Sequence, residues 1–208
     1  MNKEDIFENG HKLPLLEDFY TLQGEGSFTG YAAYFIRVGG CDIGCKWCDT
    51  KFSWNPKIHT LTDVDEIIEK AKTFPAKTIV VTGGEPSTYN LNYLCDELKK
   101  AGIKTHIETA GVYPLTGTWD WICLSPKHHN PPRDEYYPLA NEIKVIIQTK
   151  EDLKWAVEQK NKVNSNCLLY LQPEWSMFNK ITPEIVEFIK ENPEWRISLQ
   201  AHKFMKIP

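Results

Sequence analysis

Three cysteines lie close together in the sequence and could place their thiolates on one metal centre. Cys41, Cys45 and Cys48 are separated by three and then two residues, and the glycines among them let the backbone wrap closely around a bound group. A structural zinc ion normally takes four ligands, but this group supplies three. Three thiolates suit a cubane iron–sulfur cluster whose remaining iron stays open for a substrate or cofactor. The spacing therefore predicts a reactive iron–sulfur centre.

The other cysteines of the chain offer no obvious fourth ligand. Cys95, Cys123 and Cys167 fall within predicted helix or strand segments, where a free cysteine usually acts as a small buried hydrophobe. Two alternatives stay open: a zinc site completed by a remote residue such as His59 or His106, and clustered thiols that bind no metal. A zinc-stabilised binding module or an iron–sulfur electron carrier would not be an enzyme at all.

The composition is typical of one soluble domain. The chain has 208 residues, 41% of them hydrophobic and 25% charged, with a formal net charge of -4. We expect a single domain over residues 1–208, with a polar N-terminal extension over residues 1–12. The acidic balance and the lack of a Lys/Arg run argue against nucleic acid and membranes as partners. Without a membrane-length apolar stretch or a signal-peptide core, the sequence predicts a cytoplasmic protein.

Short β-rich runs alternate with helical segments along most of the chain. Seven runs predict strands, over residues 33–38, 77–82, 104–109, 119–124, 142–148, 167–172 and 195–200. Four segments predict helices, over residues 62–74, 92–101, 151–163 and 183–191. Thr62 is the expected cap of the first helix, and Pro183 lies in the expected first turn of the last. The alternation predicts an α/β fold with a mainly parallel sheet, arranged as an open, partial βα barrel.

Polar and glycine-rich segments follow the predicted strands. The cysteine cluster follows the first strand, residues 82–86 (Thr-Gly-Gly-Glu-Pro) end and follow the second, and Glu108 and Ser125 stand at the ends of the next two. Because parallel α/β sheets bind ligands at the carboxyl ends of their strands, we expect one mouth to collect these segments. The tail after the last strand is expected to be too short for another element and to leave Pro208 near that mouth.

Two of these segments together resemble a known superfamily. Residues 41–50 (Cys-Asp-Ile-Gly-Cys-Lys-Trp-Cys-Asp-Thr) are similar to the signature of radical S-adenosylmethionine (SAM) enzymes, and residues 83–86 resemble their second motif. The resemblance implies a 4Fe–4S cluster on Cys41, Cys45 and Cys48, whose open iron binds the methionine moiety of SAM. One electron then cleaves SAM to a 5′-deoxyadenosyl radical, which the protein positions and shields. No catalytic residue beyond the cluster and SAM is implied.

Further segments narrow the resemblance to the 7-carboxy-7-deazaguanine synthase family of queuosine biosynthesis. They are residues 22–26 (Leu-Gln-Gly-Glu-Gly), 35–37, 48–50, 108–111, 125–127 and the ending 202–208. The likeness covers about residues 13–208, and Ala110 departs from it where Asn or Ser is common. It implies conversion of 6-carboxy-5,6,7,8-tetrahydropterin to 7-carboxy-7-deazaguanine with loss of ammonia, a magnesium requirement, a one-electron donor such as flavodoxin, and a homodimer.

The same resemblance implies roles for individual residues. It assigns magnesium binding to Thr50. The residues that would contact the carboxypterin are Leu22, Gln23, Gly24, Arg37, Thr82 and Pro208. The residues that would contact SAM are Trp47, Cys48, Asp49, Gly84, Glu108, Ser125, Pro126, Lys127, Gln172, Pro173, Glu174 and Trp175.

Several of these roles have simpler structural alternatives. Arg37 lies in an apolar strand and could form a structural ion pair instead of holding a carboxylate. Trp47 could be a packing residue, and Thr50 could cap a turn. The pair His128 and His129 is expected to be solvated surface in a Pro-rich loop. A small radical activase acting on a glycine of a partner protein would share the cysteine loop and the Gly-Gly-Glu-Pro turn, and it stays open as a rival function.

Overall fold

Residues 10–208, which the computed structural model describes, contain nine β-strands and five α-helices. The strands are β1 (Lys12–Leu22), β2 (Ala32–Val38), β3 (Thr60–Asp63), β4 (Thr78–Gly83), β5 (Lys104–Thr109), β6 (Trp121–Leu124), β7 (Glu142–Ile147), β8 (Leu168–Pro173) and β9 (Trp195–Ile197). The helices are α1 (Val64–Thr73), α2 (Asn92–Lys100), α3 (Lys150–Lys160), α4 (Phe178–Glu191) and α5 (Ala201–Met205). Most of the extension expected over residues 1–12 lies outside the described residues.

The strands form one sheet with two free edges. Its order is β3-β1-β2-β4-β5-β6-β7-β8-β9. Pairing is parallel from β2 to β9, and β1 pairs antiparallel with both β2 and β3. The predicted α/β fold, an open barrel with a mainly parallel sheet, is confirmed. In the described part of the chain, no helix is long and apolar enough to cross a membrane.

Successive side chains of the strands point to opposite faces of the sheet, and the two faces differ in character. Ile79 and Val81 of β4 and Ile107 of β5 belong to the main core, which also contains buried apolar residues from each of the helices α1 to α4. The alternate positions Thr82 and Glu108 line a cavity on the other face. The fold therefore presents polar side chains at the carboxyl ends of the strands without interrupting the apolar core.

Two strands, β1 and β3, are not predicted by the sequence patterns. β1 contains Pro14 and adjacent acidic residues, and its register with β2 shifts between Leu15 and Glu17, so its alternation is irregular. β3 has four residues at the sheet edge. Thr62, expected to cap the first helix, lies within β3, and the helix begins at Val64 after Asp63.

Three further expectations about the C-terminal third need correction. The predicted strand over 195–200 ends at Ile197. Helix α4 begins at Phe178, so Pro183 lies inside it rather than in its first turn. The missing N–H of Pro183 is tolerated because Asn179, four residues earlier, is exposed to water. The tail does form another element, the short helix α5, whose first residue donates its backbone N–H to the Gly24 carbonyl oxygen at 2.8 Å.

Candidate active site

A cavity of about 560 Å³ lies on the concave face, at the carboxyl ends of the parallel strands. Its walls come from the cysteine loop, the turn after β4, the ends of β5 to β8, the loop after β1 and the C-terminal tail. Of the residues predicted to contact metal, SAM or carboxypterin, every one lines this cavity except Pro126. Pro126 is buried beside its lining neighbours Ser125 and Lys127. The expected single mouth is therefore present.

The three clustered cysteines line one wall of the cavity and share a small apolar cluster with Ile43 and Ala110. The loop is held by backbone hydrogen bonds, including Cys41 N–H to the Trp54 carbonyl oxygen at 3.2 Å. Burial raises the pKa of the Cys41 thiol to about 11 and also raises the pKa of Cys45. These thiols need a bound cation to become thiolates at neutral pH, as metal-ligating cysteines do.

The number of donors in the cysteine loop bears on the choice between a zinc ion and a cluster. Among residues 10–208, no three His, Cys, Asp or Glu side chains come close enough together to hold one metal ion. A single zinc ion would need sulfur atoms about 3.8 Å apart, as follows from a tetrahedron with Zn–S bonds of about 2.3 Å. A cubane binds each thiolate through a different iron and accepts a wider spacing. The three cysteines alone leave a zinc ion short of the four ligands that it normally takes, whereas three thiolates suit a cluster with one open iron.

Neither histidine suggested as a fourth zinc ligand lines the cavity. His59 Nε2 lies 3.2 Å from the Phe52 carbonyl oxygen. His106 is buried on the concave face further from the mouth, with its ring 4.6 Å from that of Phe28, and burial lowers its pKa to about 4. The geometry gives the zinc alternative no support.

The remaining cysteines are buried free thiols, as predicted. Burial raises the pKa of Cys95 and of Cys167 to about 12 and that of Cys123 well above its ordinary value. All three stay protonated at neutral pH and serve as apolar packing groups.

The Gly-Gly-Glu-Pro turn after β4 packs directly against the cysteine loop. A Cβ atom on Gly84 would lie 2.1 Å from the Gly40 carbonyl oxygen, so only glycine fits there. The Glu85 carboxylate is buried and accepts hydrogen bonds from Ser87 N–H at 2.9 Å and Ala110 N–H at 2.8 Å. The turn thereby joins the cysteine loop to the end of β5.

A buried lysine that sequence analysis missed lines the same cavity as the cysteine loop. The Lys144 side chain is 4% exposed and pairs with Glu25 and, at 3.4 Å, with Glu108. Gln23 Nε2 donates to the other Glu108 oxygen at 2.8 Å, and Gln200 Nε2 donates to Glu25 at 2.9 Å. We call these five residues the acidic wall. Its sequence signal was a lysine inside the apolar strand run EIKVIIQ, where a charge needs a partner.

The charges of the acidic wall stabilise one another. Burial acts to raise the pKa of Glu25, but the charge and hydrogen bond of Lys144 outweigh it and hold that pKa below its ordinary value. Burial acts to lower the pKa of Lys144, but Glu108 and Glu25 hold it well above its ordinary value. Glu25 and Lys144 therefore carry their charges at neutral pH, and the wall presents polar atoms to the cavity.

Arg37 forms the structural ion pair considered for it and also lines the cavity. Its Nε donates to the Glu17 carboxylate at 2.7 Å, and its guanidinium lies 5.9 Å from the centre of the Phe19 ring, so the structural ion pair exists. The same side chain lines the cavity beside Thr82, its partner in the register of β2 with β4. The pair with Glu17 uses Nε and leaves the terminal amino groups for another acceptor.

The C-terminal tail reaches the cysteine loop through Lys203. Lys203 Nζ lies 2.8 Å from the Asp49 carboxylate and 4.9 Å from the centre of the Trp175 ring. Burial acts to raise the pKa of Asp49, but the hydrogen bond and charge of Lys203 keep it below its ordinary value. Thr50 does not cap the following turn; its hydroxyl donates to Asp49 at 3.2 Å. Pro208 also lines the cavity.

The carboxyl ends of β6 and β8 supply further polar groups to the cavity. Lys127 Nζ donates to the carbonyl and hydroxyl oxygens of Ser125, both at 2.7 Å, and lies 5.3 Å from the centre of the Trp47 ring. Burial lowers the pKa of Lys127. Gln172 accepts a hydrogen bond from Ser198 at 2.7 Å. Trp47 therefore faces a cation as well as the cavity and is more than a packing residue.

The two adjacent histidines after β6 are both exposed, as expected, but they make different contacts. The His128 ring packs 5.2 Å from that of Trp155. His129 Nε2 lies 3.0 Å from the Ile43 carbonyl oxygen and 3.9 Å from Cys45 Sγ. Sequence analysis gave no sign of this second contact, because it joins loops that lie far apart in the chain.

Comparison with known proteins gives consistent similarities along the chain. The radical SAM superfamily matches residues 35–127. A protein from Flavobacterium psychrophilum named 7-carboxy-7-deazaguanine synthase is 55% identical over 97% of this chain and 95% of its own length. A protein of the same name from Synechocystis is 45% identical over 93% of each chain.

A solved structure agrees with these sequence matches. The crystal structure of QueE from Escherichia coli superposes with a TM-score of 0.82 and 30% identity, and the match covers 97% of this chain and 99% of that one. The similarity thus extends over nearly the whole length of both chains. The chain belongs to the 7-carboxy-7-deazaguanine synthase family of the radical SAM superfamily.

Proposed function

We propose that this protein is a radical SAM lyase that converts 6-carboxy-5,6,7,8-tetrahydropterin to 7-carboxy-7-deazaguanine with loss of ammonia. The product would serve the biosynthesis of queuosine, a modified nucleoside of tRNA. One observation carries the proposal: the cysteine loop and the acidic wall both line one cavity of about 560 Å³, a size within the roughly 300–1,000 Å³ of small-molecule sites. Family membership decides against the activase and the non-enzymatic alternatives.

The cysteine loop would hold the cluster that the superfamily implies. Cys41, Cys45 and Cys48 would each bind one iron and leave the fourth open. When bound and reduced, the cluster supplies the electron that cleaves SAM to a 5′-deoxyadenosyl radical. The packing of Gly84 against Gly40 brings the backbone of the β4 turn beside the loop, where its carbonyl oxygens would accept from the amino group of SAM.

The walls next to the cysteine loop would bind the rest of SAM. Trp47 and Asp49 flank the last cysteine and would contact the adenine, and Glu108 would accept from ribose hydroxyls. Other groups on this side of the cavity would complete the SAM site; they are Ser125, Lys127, Gln172, Pro173, Glu174 and Trp175, with Pro126 supporting them from behind.

The substrate would lie beside SAM, next to Gln23 of the acidic wall. Gln23 offers an amide that can pair with the pterin edge, and the terminal amino groups of Arg37 can hold a carboxylate. Leu22, Gly24 and Thr82 line the same region. The Thr50 hydroxyl would bind magnesium together with the substrate carboxylate, because Mg²⁺ prefers oxygen ligands and completes its shell from substrate and water. Pro208, which also lines the cavity, would contact the substrate.

Three further parts of the proposal concern the protein's surroundings. The reaction needs one electron, so we expect a small one-electron donor such as flavodoxin. We also expect a homodimer, as the family resemblance implies, and residence in the cytoplasm. The composition supports residence in the cytoplasm, and so do the free, unpaired cysteines among residues 10–208.

Anaerobic reconstitution followed by mass spectrometry tests the proposal. With SAM and a reductant, the wild-type protein should release 5′-deoxyadenosine, and adding the carboxypterin and magnesium should yield 7-carboxy-7-deazaguanine. Cys48→Ala should abolish SAM cleavage, whereas the matched control Cys95→Ala should lose only packing, because Cys95 is buried in α2 away from the cavity. SAM cleavage by Cys48→Ala contradicts the cluster assignment. SAM cleavage by the wild-type protein without formation of 7-carboxy-7-deazaguanine contradicts the assignment of the carboxypterin as substrate.

A further inference from the structure

His129 contacts the cysteine loop from a separate part of the chain. Its Nε2 atom lies 3.0 Å from the carbonyl oxygen of Ile43 and 3.9 Å from Sγ of Cys45, both in that loop. The two contacts use the same nitrogen of the same ring. His129 therefore bridges the backbone and a thiol of the cysteine loop.

The Ile43 contact fixes which ring nitrogen carries the proton. A carbonyl oxygen only accepts hydrogen bonds, so Nε2 of His129 must be the donor. That N–H then lies beside both the carbonyl oxygen and the Cys45 sulfur. Whether His129 is neutral or charged, Nε2–H is present and directed at the loop.

The loop that carries His129 is anchored to the cysteine loop at a second point. Lys127, two residues earlier, places its ammonium group 5.3 Å from the centre of the Trp47 ring and is tied to Ser125 by two hydrogen bonds. The two loops therefore meet on both sides of Cys45. This arrangement holds His129 in place even though its side chain is exposed.

We propose that His129 is a positioning residue for the cluster: its Nε2–H binds the Ile43 carbonyl oxygen and the Cys45 sulfur, fixes the cysteine loop and raises the reduction potential of the cluster. This inference rests on the proposed binding of a 4Fe–4S cluster by Cys41, Cys45 and Cys48. Neither contact involves SAM or the carboxypterin, so the role is separate from substrate recognition.

The expected direction follows from electrostatics. A hydrogen bond to a ligand sulfur stabilises negative charge, and the reduced cluster carries one more negative charge than the oxidised cluster. The donor therefore favours the reduced state, in line with the general effect of hydrogen bonds to cluster sulfurs. A typical net hydrogen-bond contribution corresponds to a change of about two- to tenfold in the equilibrium constant for one-electron reduction.

Three variants separate this role from a general effect on the loop. His129→Leu removes the donor, and His129→Gln keeps an N–H at about the position of Nε2. His128→Leu is the matched control, because His128 is in the same loop but packs on Trp155. Each full-length protein is reconstituted anaerobically, its iron and sulfide are counted, and its cluster is titrated against reductant with detection by electron paramagnetic resonance, without substrate.

In His129→Leu we expect the equilibrium constant for one-electron reduction of the cluster to be about two- to tenfold smaller than in the wild type. This is a shift to a more negative reduction potential. His129→Gln and His128→Leu should stay within about twofold of the wild type. A failure of His129→Leu to hold iron, with rescue by His129→Gln, supports the role in fixing the loop. Any of three results overturns the proposal. They are a wild-type reduction potential in fully loaded His129→Leu, an equal shift of the potential in His128→Leu, and loss of iron from both His129 variants. Absence of iron from the wild-type protein instead contradicts the proposed cluster.

Discussion

Replacing Lys144 by Met should destabilise the protein by about 3–5 kcal/mol, the range for removing one partner of a buried ion pair. The Lys144 side chain is 4% exposed, and its partners Glu25 and Glu108 are 14% and 22% exposed. Methionine fills nearly the same volume but leaves two carboxylates facing each other without a cation. The cost therefore comes from uncompensated charge and not from a cavity.

The pH dependence of this loss gives the argument a second, independent check. In the wild type Lys144 holds the pKa of Glu25 below its ordinary value of 4.5, so this group stabilises the fold above pH 4.5 and ceases to do so as pH falls through the lowered pKa. In Lys144→Met the charge and hydrogen bond of Lys144 are lost, and burial, now opposed only by the Gln200 hydrogen bond and the charge of His202, raises the pKa of Glu25. The variant then gains stability as the carboxyl is protonated, so the difference from wild type should be smaller at pH 5 than at pH 7.

Urea unfolding of the metal-free chain at both pH values measures these effects. Lys150→Met is the control, because Lys150 also pairs with a glutamate, Glu184, but is 66% exposed; its cost should stay below about 1 kcal/mol. The double variant Lys144→Met/Glu25→Gln should recover at least half of the loss. A cost for Lys144→Met no larger than that of the control, or one that is equal at both pH values, refutes the reasoning.

Three further predictions concern the cavity. Gly84→Ala should prevent stable cluster loading, measured as iron per chain, because its Cβ would lie 2.1 Å from the Gly40 carbonyl oxygen. The control Gly102→Ala strains the backbone at a φ of 69° but its Cβ meets nothing within 4 Å, so it should still load normally. Thr50→Val should lose most of the magnesium stimulation of turnover while its cluster spectrum stays unchanged, and a normal magnesium response would remove Thr50 from the metal site. A tag fused after Pro208 should raise the KM for the carboxypterin several-fold, whereas an N-terminal tag should not; equal KM values would make Pro208 an ordinary chain end.

Local sequence patterns predicted the parallel part of the fold well. The runs around Ile79, Ile107 and Val145 are short, β-rich and bounded by turns, and each is a strand of the sheet. These sequence patterns are clear because strands buried in the main core need nearly continuous apolar runs. The cysteine spacing and the Gly-Gly-Glu-Pro turn likewise depend on neighbouring residues, and both line the cavity.

Features that depend on distant contacts escaped prediction. The lysine at position 144 could be recognised as unusual, but its partners Glu25 and Glu108 lie on other strands and loops. The start of α4 was placed at Pro183 because proline favours the first turn of a helix. The preceding residues extend the helix only because Ile181 is buried against the core. In each case tertiary packing, rather than local preference, decided the outcome.

The loop after β1 covers the open side of the sheet, and its contacts are the clearest example of a feature that depends on residues far apart in the sequence. The loop after β1 bridges the gap between the two ends of the sheet: Gly26 N–H donates to Ser198 Oγ at 2.9 Å, Ser27 N–H donates to the Glu142 carboxylate at 2.9 Å, and the Gly24 carbonyl oxygen accepts from α5. Because this loop also carries Gln23 and Glu25 of the acidic wall, the contacts that close the barrel also position the candidate substrate-binding groups. The unpredicted strand β1 thus has a direct functional consequence, since it delivers that loop to the mouth of the cavity.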